Sequence, residues 1–381
     1  MDDQNKDNLN NEYFKFIPPV ILAIAAIFMI AYIIIPDKEY SENENRYLQQ
    51  FPEVSAKSIF AGKWMKDFDD YLCDQFPMRD NFIGLKTSFE KLTFHTKIND
   101  IYLCDDGYYI VPYKKPTATK KIIKRINSFT QSINKDTDVA LMLVPTAVTV
   151  YKDKLPAFTQ TYNQLDTIKE IYNSVTCDTI DAATPLINHK NQDNLYYHLD
   201  HHWTIKGAYY GYDAYCKWAG IKEPSMDSYD YKEVTDSFKG TIYSKINDYS
   251  VTGDKMWAIQ SQKQKLSIKY PDGTKTDSLY VREYLEKKDK YSFYLGNDTN
   301  DFIEIHNENA SGDEKLVIIK DSYANSLIPY LTDNYSTIYV INPRYYRNVI
   351  SQFVNENNIS KVLLLFNMNT IDTETGIGMI F

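Results

Sequence analysis

Nucleophilic catalysis and metal binding both draw on histidine and aspartate, and the stretch YYHLDHHWTIKG at residues 196–207 supplies them in density. It holds His198, Asp200, His201 and His202, and so three of the 6 histidines in a chain of 381 residues. Their nitrogen and oxygen atoms suit zinc, manganese or iron. Spacing favours another use. Side chains alternate faces along an extended segment, so the adjacent His201 and His202 chelate one ion only if a turn brings them together. Asp200 and His202 are two apart and share a face. The carboxylate can then hold the imidazole Nδ1–H and leave Nε2 as a base. His198 and His201 are spare in this arrangement, and a polar loop entering a helix is the non-catalytic alternative.

A base of this kind serves a nucleophile. VIIKDSYANS places Asp321 and Ser322 where an apolar strand hands over to a helix. In open parallel sheets functional groups collect at such strand ends. A serine there exposes its hydroxyl above the sheet, and its own N–H can receive an oxyanion. The bland alternative is that Asp321 or Ser322 is the N-cap of the helix. The catalytic reading is therefore Ser322 as nucleophile, His202 as base and Asp200 as the group that orients it. Trp203 would wall the pocket or pack beneath it. No metal and no organic cofactor is expected.

The elements that position these residues are readable from periodicity. TIKGAYYGYDAYCKWAG predicts a helix capped by Thr204 and closed at Gly220, which holds the histidine loop. KLVIIKDSYANSLIPYL, STIYVINPRYYRNVISQFVNENN and KVLLLFN predict strand–helix, strand–helix and strand. DVALMLVP at 138–145 predicts another buried strand, and residues 117–134 a helix before it. Continuous apolar strands alternating with helices imply a parallel sheet covered on both faces. The expected fold is α/β, doubly wound. Residues 57–95 predict amphipathic helices broken near Pro77, and DIYLCDDGYYIVP predicts a hairpin. Residues from about 224 to 290 are irregular and read as a β-rich insertion, with a hairpin turned by Pro271, Asp272 and Gly273.

Composition narrows the function. The formal net charge of −9 and the absence of a basic stripe argue against a nucleic-acid binder. Aromatics reach 14%, mostly the 33 Tyr, which suit sugar surfaces and strands alike. FIPPVILAIAAIFMIAYIIIP at 16–36 is an uncharged apolar run of about the ~20 residues that span a bilayer. It ends in bulky residues rather than a cleavage site, so it reads as a single-pass signal anchor. Residues 1–15 would be a cytoplasmic tail, 37–50 a juxtamembrane stalk and 51–381 an exported catalytic domain at the cell membrane. Cys73, Cys104, Cys177 and Cys216 form no CxxC pair, so zinc-ribbon and thioredoxin chemistry are poor readings, while one or two disulfides or free buried thiols both fit.

Behind the anchor, the stretches ENRYLQQFP, DDYLCDQFPMRDNF, NDIYLCDDGYYI, LVPT with DKLPAF, YYHLDHHWTIKGAYYGYDAY, FKGTIYSK, YLGND, VIIKDSYANSLIPYL and NPRYY follow in order. Together they resemble the bacterial DHHW protein family. That family is similar to the periplasmic alginate O-acetyltransferases, which have an SGNH-hydrolase-like fold with an Asp-x-His pair upstream of the serine. The resemblance implies the same three residues, Asp200, His202 and Ser322. It points to Gly296 and Asn297 of YLGND as a strand-end element, a second oxyanion donor or an ordinary turn. Lys320 stands where related acetyltransferases often have glycine. The implied activity is acetyl transfer through an acetyl-serine to a cell-surface polysaccharide or exopolysaccharide of the cell envelope, with a membrane-bound O-acyltransferase supplying acetyl. A carbohydrate esterase with the same triad, or a non-catalytic glycan-binding protein, are the alternatives. Arg344, Tyr345 and Tyr346 would line the acceptor groove or simply start a helix.

Overall fold

The computed structural model of the protein describes residues 3–44, 46–222, 224–260, 264–310, 312–372 and 376–380. Met1 and Asp2 of the expected tail, and 261–263 of the expected insertion, lie outside them. Contacts divide the chain into two units, Met1–Phe89 with Asn247–Tyr249, and Glu90–Ile246 with Ser250–Phe381. In the first unit the helix Asp3–Ile34 contains a stretch, Lys15–Ile34, that is long and apolar enough to cross a membrane. Helices Ala56–Phe60, Lys63–Asp74 and Arg79–Leu92 follow it. Pro77 falls in the gap between the last two, as expected.

An eight-stranded sheet organises the second unit. Its spatial order is Lys275–Thr276, Leu266–Lys269, Phe302–Asn307, Thr337–Ile341, Lys315–Lys320, Lys361–Asn367, Asp138–Val144 and Asp178–Ile180. The last five run parallel. Their central strands, LVII, IYVI, VLLLF and VALMLV, are buried at every position, which requires cover on both faces. Each fully buried Val, Leu or Ile contributes about 1.5–3 kcal/mol. From Lys315–Lys320 the chain moves toward one sheet edge, and from Asp138–Val144 toward the other. Strand ends between such divergent connections form a crevice.

Two expectations change. The sheet is mixed, not wholly parallel, because Phe302–Asn307 and the hairpin Leu266–Lys269/Lys275–Thr276 pair antiparallel at one edge. The hairpin turns at PDG as expected, with Gly273 at φ +87°. The irregular stretch also contains a two-stranded ribbon, Asp230–Phe238 with Asp254–Gln260, and between its strands the short helix Thr241–Ile246. The second change is local. No long helix follows Asp321, but a 3-10 turn, Ser322–Ser326, and then the short helix Ile328–Leu331 with Pro329 in its first turn. Proline lacks the N–H that would continue a longer helix through this point.

The helix Ile205–Ala219 holds the histidine loop by close approach. Thr204 Oγ1 accepts the Gly207 N–H at 3.1 Å, and Gly220 closes the helix at φ +68°. A Cβ on Gly207 would lie 2.2 Å from the Leu195 carbonyl oxygen, and one on Gly211 would lie 2.7 Å from the Trp203 ring. The loop therefore rests on glycine backbone. Gly207→Ala is expected to destabilise the protein by about 1–3 kcal/mol, the usual cost of overpacking. Denaturant unfolding of variant and parent measures it, and an unchanged midpoint would show slack in this contact.

Candidate active site

One regular element fixes each functional segment, the helix after Thr204 and the strand ending at Lys320. The side chains meet between them. His202 Nε2 lies 2.7 Å from Ser322 Oγ, and His202 Nδ1 lies 2.5 Å from Asp200 Oδ1. The same oxygen accepts the His202 N–H at 3.0 Å. Asp200 Oδ2 accepts the Thr241 N–H at 2.8 Å and the Thr241 hydroxyl at 3.0 Å. Asp200 and His202 are 2% and 5% exposed, whereas Ser322 is half-buried.

An ionised carboxylate only accepts, so Nδ1 carries the imidazole proton and Nε2 turns its lone pair to the Ser322 hydroxyl. Burial pushes the Asp200 carboxyl up. The charges of His201 and His202, with the hydrogen bonds from His202 and Thr241, outweigh it and hold the group well below the usual carboxylate range. His201 Nδ1 lies 2.6 Å from Thr241 Oγ1. That hydroxyl has given its proton to Asp200, so His201 donates. Burial first, then the charge of His202, push the His201 pKa down to about 4 against the pull of Asp200.

The serine loop is gripped by Asp321. Its Oδ1 accepts the Tyr323 N–H at 2.9 Å, and its Oδ2 accepts the Asn367 N–H and Nδ2–H at 2.7 Å each and the Thr370 hydroxyl at 3.0 Å. Burial raises its carboxyl above the ordinary value. Asp321 is thus the cap, and Ser322 is left to face the histidine. Among the described residues the Ser322 N–H meets no acceptor. Tyr291 stacks flat on His202, ring centroids 3.6 Å apart at 8°. Its hydroxyl donates to the Ser322 carbonyl at 3.3 Å and lies 3.1 Å from Ser326 Oγ.

The remaining candidates divide. Trp203 packs beneath the site, fully buried, with Nε1 donating to the Tyr323 carbonyl at 2.8 Å. Gly296 is buried at φ +79° and Asn297 is exposed, its Oδ1 accepting the Thr299 N–H at 3.1 Å. No hydrogen bond among the described residues joins either to Ser322 or His202. Lys320, 4% exposed, donates to Asp298 Oδ1 at 2.6 Å, and Arg344 pairs with the other oxygen. Burial opposes ionisation of Asp298, but these two charges hold its carboxyl below the ordinary value. Tyr345 is exposed beside Arg344, and Tyr346 is buried, stacked on Phe302. His198 pairs with Asp254 instead.

Ligand atoms of Asp200, His201 and His202 lie within 4.8 Å of one another, close enough for one ion. Both Asp200 oxygens, both His202 nitrogens and His201 Nδ1 already hold hydrogen bonds, so a shared ion would have to displace this network. Spacing did not reveal Tyr291, Thr241 or Gly240. FKGTIYSK carried a signal for the last two, without a position for them. A Cβ on Gly240 would lie 2.1 Å from Asp200 Oδ2.

Two outcomes follow from the Asp200 network. Gly240→Ala is expected to push the carboxylate off His202 and abolish the strongly deshielded Nδ1–H proton resonance, which NMR of parent and variant detects. Because the folded carboxyl sits below its unfolded value of about 3.9, its stabilisation is complete above that pH and is lost as pH falls further. The stability gap between the parent and Asp200→Asn should therefore shrink as pH falls below about 4. A gap that keeps widening below about pH 4 would contradict the assignment.

Comparison with known proteins places this geometry in context. The chain is 25% identical to a DHHW family protein from Eubacterium siraeum, with a TM-score of 0.65 over 75% of this chain and 97% of that one. Bacillus cereus PatB1, solved with a sulfonyl adduct, is 21% identical, with a TM-score of 0.61 over 74% and 99% of the two chains. The O-acetyltransferase domain of Pseudomonas putida AlgJ is 12% identical, with a TM-score of 0.43 over 71% and 92%. No match was found among curated proteins. The family model described as DHHW protein matches residues 95–341, a span that contains Asp200, His202 and Ser322, and the chain belongs to that family.

Proposed function

We propose that the protein is a membrane-anchored, extracytoplasmic O-acetyltransferase that acetylates hydroxyls of a cell-surface polysaccharide. The observation that carries the reading is the continuous hydrogen-bonded chain from Ser322 through His202 to Asp200, at 2.7 and 2.5 Å. His202 Nε2 takes the Ser322 proton as Oγ attacks the acetyl carbonyl, and the imidazolium formed is stabilised by Asp200. The Ser322 N–H receives the oxyanion, with the Gly296–Asn297 turn as candidate second donor. His202 returns its proton to the leaving oxygen, and acetyl-serine remains. A sugar hydroxyl then loses its proton to His202 and attacks the ester, restoring Ser322. Asp200 stays ionised throughout.

An SGNH-like arrangement fits a mostly parallel sheet with the serine at a strand end. The anchor at 16–36 and stalk at 37–50 would place residues 51–381 outside the membrane, where a membrane-bound O-acyltransferase supplies acetyl. Arg344 and Tyr345 are candidate acceptor contacts, Arg344 acting from its ion pair with Asp298. A carbohydrate esterase with the same triad is the second reading, favoured by the half-buried Ser322, which water can reach.

The test uses the full chain in detergent with 4-nitrophenyl acetate, with and without an oligosaccharide acceptor. Acetyl-Ser322 is expected by mass spectrometry, and Ser322→Ala and His202→Ala should each lose at least ~10³-fold in turnover. Acetylated sugar formed only with acceptor present selects the transferase, and hydrolysis unaffected by acceptor selects the esterase. An arylsulfonyl fluoride should label Ser322 in the parent and not in His202→Ala. If neither acetyl nor sulfonyl reaches Ser322, both enzyme readings fail and a glycan-binding protein is left. Stoichiometric metal lost on His202→Ala would overturn the triad.

A further inference from the structure

His198 has its own carboxylate. Its Nδ1 lies 2.8 Å from Asp254 Oδ1, and the same carboxylate accepts the His198 N–H at 3.1 Å and the Leu199 N–H at 2.8 Å. The Tyr108 ring stacks on the imidazole at 3.9 Å and donates its hydroxyl to Asn194 Oδ1 at 3.3 Å. The imidazole is thus held through Nδ1 and its own N–H, as that of His202 is, but among the described residues no serine hydroxyl bonds it. Among the described residues its Nε2 has no hydrogen-bond partner. His198 lines a cavity of about 410 Å³ that includes neither Ser322 nor His202.

The lining decides what the cavity takes. Asp106, Asn194, Thr252, Lys255 and Trp257 border it with His198. The charged groups at its border already hold partners within the protein. Asp106 pairs with Lys154, Asp254 holds His198 and two backbone N–H groups, and Lys255 lies 2.8 Å from Glu233. What is left for a ligand is directional hydrogen bonding without net charge, from an imidazole, a carboxamide and a hydroxyl. Beside them stands the half-buried indole of Trp257, steadied by the Lys206 ammonium 5.7 Å from its centroid. An aromatic wall next to uncharged donors and acceptors matches a pyranose ring, which presents apolar C–H faces and hydroxyl edges. Among the described residues of the lining the one lysine or arginine, Lys255, is paired with Glu233, which leaves an anionic ligand little to gain.

We propose that the cavity at the His198–Asp254 pair is a binding subsite for a neutral saccharide unit, separate from the serine. The binding claim stands independently of any chemistry at Ser322. On the acyl-transfer reading the subsite holds a sugar of the acceptor chain away from the reacting hydroxyl, which would explain how one short loop serves both recognition and catalysis.

Isothermal titration of the full chain in detergent with β-1,4-linked trimers of glucose and of N-acetylglucosamine tests it, with galacturonate trimer as the anionic comparison. Both neutral trimers should bind in a saturable way, at least tenfold more tightly than galacturonate. Trp257→Ala, which deletes the wall, and Thr252→Trp, which fills the cavity while removing no charged partner, should each weaken binding at least tenfold, with circular dichroism melting confirming the fold. Ser322→Ala should bind as the parent does, so that loss of chemistry and loss of binding are read separately. The proposal is overturned if neither neutral trimer binds, if galacturonate binds as well as they do, or if folded Thr252→Trp retains full affinity.

Discussion

Everything at the site hangs on a buried carboxylate with four donors. Asp200 accepts the backbone and side-chain N–H of His202 on one oxygen and the N–H and O–H of Thr241 on the other. A buried carboxylate without such partners would take up a proton instead of accepting hydrogen bonds. Because it stays ionised, Nδ1 keeps its proton, Nε2 stays open, and the serine has an acceptor. The same carboxylate, through Thr241, fixes the tautomer of His201. Gly240 follows as a spatial necessity, since any side chain there would occupy the space of Asp200. A helix and a strand far apart in the chain are thus brought into use by one group that belongs to neither.

The residues that meet here were legible to different degrees. Asp200 and His202 were readable from a spacing of two, and Ser322 from its place after an apolar run, because local geometry alone determines both. The parallel strands were readable for the same reason, as unbroken apolar segments. What was not legible depends on partners distant in sequence. Nothing in KYSFYLGND signals that Tyr291 lies flat on an imidazole nearly ninety residues earlier, nor that Asp298 closes an ion pair with Lys320 and Arg344. The antiparallel edge also escaped a pattern reading, since Phe302–Asn307 alternates buried and half-buried positions as an edge-side strand does. The helix expected after Ser322 gave way to a 3-10 turn capped by Asp321, whose side chain also reaches Asn367 and Thr370, partners no local pattern reveals.

The two histidine–aspartate pairs show how little the motif itself decides. His198 and His202 sit four residues apart, each with Nδ1 on a carboxylate and a tyrosine ring against its face. One Nε2 faces a serine and the other a cavity. Counting histidines treats them as equivalent, yet the element delivered opposite each one, a serine loop or a cavity, sets them apart. The same reasoning explains why Lys320 is compatible with the turn. Its side chain leaves the serine loop for Asp298, and the backbone at Asp321 still joins the sheet through Leu365 at 3.2 Å.

The stacked Tyr291 carries a consequence for timing. Its ring covers one face of His202 while its hydroxyl is tied to the serine loop, so the imidazole is blocked from tilting toward that face. On the acyl-transfer reading, the oxygen that departs with the proton and the oxygen that later surrenders one must come to the same nitrogen from the same side. They cannot be there together. The first product would then have to vacate the spot before the acceptor hydroxyl arrives, and a single ring stack would impose the order, one partner out and the next one in.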